Sequence, residues 1–184
     1  MIRVMRLGIA DHLGWAIAVT SAEHEVVDRR RIELIEPGLP LAPIHYESRR
    51  LDVAATAALV AQVRASVVRA TSAALDEIAA GLPATVRSIS LRALPHDFPD
   101  DIAVLRRAPY EARADAIMYR EELSEIAHAR GWEVDFYDAK AVVQQAVSRL
   151  GERADQVLQG PRVTLGPPWT KDHRTALAAT IMAG

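Results

Sequence analysis

Hydrophobic and polar positions change their period several times along the chain, and each change marks an element. Positions 2–10 alternate loosely and run into Asp11-His12-Leu13-Gly14, a short polar turn ending in glycine. Trp15 to Thr20 is rich in β-formers and reads as a second strand. After a turn at Ala22-Glu23-His24, Val26 to Ile35 gives a third strand, whose interleaved charges put one face in solvent. Strands joined by turns this short pair antiparallel, because a parallel neighbour needs a crossover of about a dozen residues.

Pro37, Pro40 and Pro43 mark a loop, and from Arg50 to Ala80 the period becomes helical. Leu51, Ala55, Leu59, Val63, Val67, Ala70, Ala74 and Ile78 form one stripe, which serves as core or as the surface of a homodimer. Gly81 and Pro83 stop this helix, and Val86 to Leu94 returns to period two as a fourth strand. Residues 111–130 read as a second helix closed by Gly131, and Trp132 to Tyr137 as a fifth strand. Asp138 is the expected cap of a helix through Leu150, and Thr170 of a last helix through Ile181. The order β-β-β-α-β-α-β-α-α predicts an α/β fold in a single domain, 1–184. Its mixed five-stranded sheet has strands 1–3 antiparallel, then two strands parallel to the first, with helices flanking it.

Composition narrows the chemistry. Half of the 184 residues are hydrophobic, enough for a sizeable core without staples. There is no cysteine, which excludes disulfides, thiolate zinc sites and cysteine nucleophiles. With 22 Lys plus Arg against 24 Asp plus Glu, the net charge of -2 argues against a surface that is basic all over, but leaves room for a local basic cleft. Asp11, His12 and Gly14 interrupt the N-terminal apolar run, so it does not read as a signal peptide. Gln62, Arg64, Arg69, Asp76 and Glu77 punctuate the alanine-rich stretch, which therefore does not read as a membrane span. The chain is expected in the cytoplasm. No P-loop, GxSxG, GxGxxG or HExxH occurs.

Three local patterns, taken with the element order, resemble the ribonuclease-H-like superfamily, in its branch of RuvC-like Holliday-junction resolvases. The first is Ile9-Ala10-Asp11-His12-Leu13-Gly14-Trp15-Ala16, similar to a first-strand aspartate followed by a tight turn and a small-apolar second strand. The second runs from Tyr119-Arg120 through Arg130-Gly131-Trp132 to Asp138-Ala139-Lys140-Ala141-Val142. The third is Thr170-Lys171-Asp172-His173-Arg174-Thr175-Ala176-Leu177-Ala178, resembling a terminal helix that opens on an acid.

The resemblance implies Mg²⁺-dependent phosphodiester hydrolysis on branched or structured nucleic acid. That chemistry needs clustered carboxylates around two ions about 4 Å apart. By resemblance Asp11 stands at the centre, Asp172 faces it from the last helix, and His173 is an auxiliary ligand or general acid. The family's strand-4 glutamate is missing: Arg92 or Ala93 stands near its place, and Asp97 in the next loop is the nearest acid left as a third metal ligand. The acid expected one turn after Asp172 is also missing, since Arg174, Thr175 and Ala176 occupy that stretch. An arginine in the acidic position would fill the metal's place with its own charge. The second reading is a catalytically inactive ribonuclease-H-like structural or interaction module. Asp11 and His12 also fit as ordinary turn residues, and Asp172 as an acid complementing a helix dipole. Arg29-Arg30-Arg31 reads as a solvated strand edge, and Trp15, Trp132 and Trp169 as packing aromatics.

Overall fold

Alternation in β1 (Met5–Asp11) sends Met5, Leu7 and Ile9 to one face of a sheet and Gly8 and Ala10 to the other. The computed structural model describes residues 4–183; positions 2 and 3 of the predicted first strand lie outside the described residues. β2 (Trp15–Ala22) and β3 (Glu25–Glu33) extend β1 as an antiparallel meander. β4 (Val86–Arg92) and β5 (Glu133–Tyr137) add on its other side in parallel, giving the order β3-β2-β1-β4-β5. The mixed five-stranded sheet is the one expected from the element order.

Helices cover both faces. α1 (Val53–Gly81) and α3 (Glu111–Ala129) pack on the Leu7–Ile9 side, with Val63, Val67, Met118 and Leu123 in the core. α4 (Val142–Leu150), α5 (Ala154–Gln159) and α7 (Lys171–Met182) cover the Ala10 side through Val142, Ala146, Leu158, Leu177 and Ile181. Two one-turn helices, α2 (Ile102–Leu105) and α6 (Pro161–Thr164), lie in stretches where no periodicity marked them. Each fully buried leucine or isoleucine contributes about 1.5–3 kcal/mol.

The long helix differs from its predicted form in two ways. It begins at Val53, because the Asp52 carboxylate accepts the Ala55 N–H at 2.7 Å and caps it there. Its buried face is also rotated on either side of Val63 and Val67: Thr56, Val60, Thr71 and Leu75 are buried where Ala55, Leu59, Ala70 and Ala74 were expected. Small hydroxyls belong to that face, because Ser66 accepts the Glu36 N–H at 3.0 Å and Thr71 donates to the Leu34 carbonyl at 3.3 Å. By length and composition α1 is long and apolar enough to cross a membrane, contrary to the reading of its charges. It lies along the sheet instead, with Arg64 paired to Glu121 and Glu122 of α3, and Arg69 to Glu36.

α7 lies very close to the sheet. A Cβ on Gly8 would sit well inside van der Waals distance of the Ala176 carbonyl oxygen. The same approach brings the Ser21 and Thr180 hydroxyls to 2.6 Å and lets Ser90 donate to the Ala179 carbonyl at 3.3 Å. α4 starts later than predicted, since Asp138 accepts the Lys140 N–H at 2.8 Å in a turn that precedes the helix.

Candidate functional site

At the C-terminal end of β1, Asp11 continues the Leu7–Ile9 row, so alternation turns its carboxylate toward α3. There Arg120 donates from Nε to Asp11 Oδ2 at 2.8 Å. Arg92, the last residue of β4, brings its Nε to 3.5 Å from Oδ1. Asp11 is 3% exposed, so this is a largely buried ion triad. Neither Oδ1 nor the Arg92 Nε makes a hydrogen bond within it. Arg92 also meets the Tyr137 hydroxyl, which donates to the Ile9 carbonyl at 2.7 Å and which burial pushes up to about 12. Among the described residues the Arg120 Nη atoms make no hydrogen bond.

Asp172 does not join Asp11. It comes from α7, on the opposite face of the sheet, and accepts from His12 Nε2 at 2.9 Å. The His12 ring is stacked on Trp15 at 4.1 Å, and the Arg31 guanidinium covers the Trp15 ring, also at 4.1 Å. The expected cation-bearing strand edge is thus divided among separate partners. Arg29 donates to the Leu165, Gly166 and Pro168 carbonyls and ties the strand to the segment leading into α7, while Arg30 pairs with Asp28 and Glu77. Trp169 is buried as expected and donates to the Leu158 carbonyl at 2.8 Å.

His173 is buried and has a local task. Its Nδ1 accepts the Thr170 N–H at 3.2 Å, the side-chain half of a capping box that starts α7. That bond requires the neutral ring with its proton on Nε2. Burial first, then the Arg29 charge, lowers the pKa of His173 below its usual value. A histidine depressed on folding binds its proton better in the unfolded chain. Its stabilising contribution is therefore complete above the unfolded value of about 6.5 and falls as pH drops below it. Substituting His173→Gln keeps a capping-box acceptor at this position and removes the titration. Urea unfolding at pH 7.5 and pH 5.5 should show a smaller loss in the variant than in the parent; equal losses would remove this role from His173.

Asp97 stands exposed in the loop after β4 and makes no hydrogen bond or ion pair among the described residues. Arg92, at the end of β4, fills the place where the resemblance implies an acid. Among the described residues no group of three or more His, Cys, Asp or Glu side chains is placed to hold a metal ion. The electrostatics agree. At an effective dielectric of ~20, two unit charges 4 Å apart interact by roughly 4 kcal/mol. A divalent cation beside Asp11 would gain about twice that from one carboxylate and lose about twice that to each of two guanidiniums, so repulsion wins. The residues present do not fit the Mg²⁺ pair that Asp11, Asp172 and Asp97 were expected to hold.

The pairings of Arg120 with Asp11 and of His12 with Asp172 had no signal in the sequence. Arg120 lies inside a helical run whose period marks only its apolar face, and its partner is 109 positions away.

No protein-family model and no curated protein matches the chain. Among solved structures it is similar to RuvC of T. thermophilus in complex with a Holliday junction substrate. The TM-score is 0.53 with 14% sequence identity, over 97% of this chain and 90% of that one. An identity this low speaks for the fold alone, and the strand order and directions say the same: this chain has a ribonuclease-H-like, RuvC-like α/β fold.

Proposed function

We propose that the chain engages branched or structured nucleic acid at the Asp11 end of its sheet without Mg²⁺-dependent cleavage. The observation that carries this reading is the pair of guanidiniums on the Asp11 carboxylate. Two arginines and one aspartate leave a net positive charge where the resemblance places metal. A guanidinium attracts phosphate and matches its geometry. It brings no bound water with a pKa near 7, so it cannot supply the nucleophile that a metal ion supplies. The RuvC structure with its junction substrate supports nucleic acid as the partner class. The net charge of -2 favours a different partner, a protein met by an inactive module, and the same assay separates the two readings.

Labelled four-way junction and linear duplex, each incubated with the chain in Mg²⁺, provide the test. The expected result is retardation of the junction that weakens steeply with salt, as phosphate contacts require, and no cleavage product. Cleavage that needs both Mg²⁺ and Asp11 would overturn the reading. Failure to retard the junction at low salt would leave the interaction module in its place.

A further inference from the structure

Between α1 and α3, the helices that cover the Leu7–Ile9 face of the sheet, the packing leaves a cavity of about 290 Å³. The sequence accounts for it. Ala57, Ala61 and Arg64 fall on one stripe of α1 at helical spacing, and Ala114, Ile117 and Glu121 on a stripe of α3. Three alanines fill little of the space between helices whose axes pack about 8–10 Å apart. Phe98, Pro99 and Ile102 close over the gap from the segment after β4, and no residue of the Asp11 site lines it.

The walls are mostly apolar and the charges around them lean to one sign. Ile44, Val60, Leu105 and Ile117 are buried and form the apolar lining. Where the two stripes reach charged residues, Arg64 donates to Glu122 at 2.6 Å and to Glu121 at 2.8 Å, so one guanidinium stands against two carboxylates. Asp100 lines the cavity too; it is exposed and makes no hydrogen bond or ion pair among the described residues. The next charges outward do not reverse the sign. Asp101 caps α2, and Asp115 accepts the N–H of the lining residue Ile44 at 3.0 Å. Against them, Arg106 is tied to the Ser48 and Leu51 carbonyls, and the Arg113 guanidinium lies 5.8 Å from the Phe98 ring centre. Asp100, Asp101, Asp115, Glu121 and Glu122 thus outnumber Arg64, Arg106 and Arg113, and the balance is negative.

We propose that this cavity binds a small organic cation, an amine whose ammonium meets the Asp100 carboxylate and whose apolar body lies against Phe98, Ile102 and Ile117. The volume fits a ligand of one ring, at the lower end of the range of about 300 to 1,000 Å³ usual for small-molecule pockets. An ammonium facing a carboxylate makes a charge-assisted hydrogen bond. An acid of the same shape meets the same field as repulsion, and a neutral molecule gains the apolar walls alone.

Benzylammonium, benzyl alcohol and benzoate share one ring and differ in charge, and their titration into the full chain provides the test. The δ1-methyl resonances of Ile102 and Ile117 report occupancy by nuclear magnetic resonance. A saturable shift is expected with benzylammonium, about fivefold tighter than with the alcohol and about tenfold tighter than with benzoate. In Asp100→Asn, whose side chain is exposed and unpartnered, the amine affinity should fall about fivefold to that of the alcohol, with the thermal midpoint unchanged. Ala61→Leu fills the cavity from an exposed helix position and should weaken all three ligands without lowering the thermal midpoint. No saturable shift with benzylammonium, equal affinity for the alcohol or for benzoate, or an unchanged amine affinity in Asp100→Asn would overturn the proposal.

Discussion

Replacing Asp11 by asparagine should lower the stability of this chain by about 3–5 kcal/mol, the usual cost of removing one partner from a buried ion pair. The substitution leaves the Arg92 and Arg120 guanidiniums facing each other, 26% and 17% exposed, without the anion between them. The sign of the effect separates two accounts of the site. In a cage of carboxylates built for metal, like charges repel, and taking one away relieves the folded state when no metal is bound. In the triad seen here the carboxylate is the only negative charge between two positive ones, and taking it away hurts. Urea unfolding of the parent and Asp11→Asn in chelator measures the difference. Adding Arg120→Met to Asp11→Asn should recover part of the loss, since the second change removes an uncompensated charge; strict additivity of the two would argue against a direct pair. An increase in stability on Asp11→Asn would favour the cage.

Gly8→Ala should cost about 3 kcal/mol or more, although an alanine is normally the better strand residue by roughly 0.5–1 kcal/mol. The new methyl group meets the backbone carbonyl of Ala176, and a backbone atom cannot rotate aside as a flexible side chain would. α7 must therefore lift away from β1. Lifting it strains the Ser21–Thr180 and Ser90–Ala179 bonds and moves Asp172 relative to His12. Thermal unfolding gives the stability, and the His12 ring resonances report the pair; a change within about 0.5 kcal/mol, the range of an ordinary surface substitution, would mean that α7 is not held by this close approach.

The elements were legible where a single periodicity ran for long enough. β1 to β3, the end of α1 near Gly81, α3 with Gly131 after it, and α7 behind Thr170 all follow from period, turn chemistry and capping. The buried face of α1 was misread at Ala55, Leu59, Ala70 and Ala74 because the stripe counted only apolar residues. Thr56, Ser66 and Thr71 are buried, and their hydroxyls bond to backbone carbonyls or amides nearby. α2 and α6 have one turn each, too short for a period to register.

The site was legible in half. Arg92 could be placed opposite Asp11 because strand order and length fix the ends of β1 and β4 side by side. Arg120 could not, since a helix pattern says which face is apolar and nothing of which polar residue reaches over the rim of a strand 109 positions earlier. Asp172 was placed at the start of α7 correctly, but its partner depends on which face α7 covers. α7 covers the Gly8 side, while Asp11 faces α3, so Asp172 finds His12 across 160 positions of chain.

The central claim is that Asp11 is a paired structural anion and not a metal ligand. A Mn²⁺ titration followed by electron paramagnetic resonance, on the parent and on Asp11→Asn at a temperature where both are folded, tests it most directly. The two should deplete free Mn²⁺ alike. A saturable Mn²⁺ site present in the parent and lost in Asp11→Asn would contradict it.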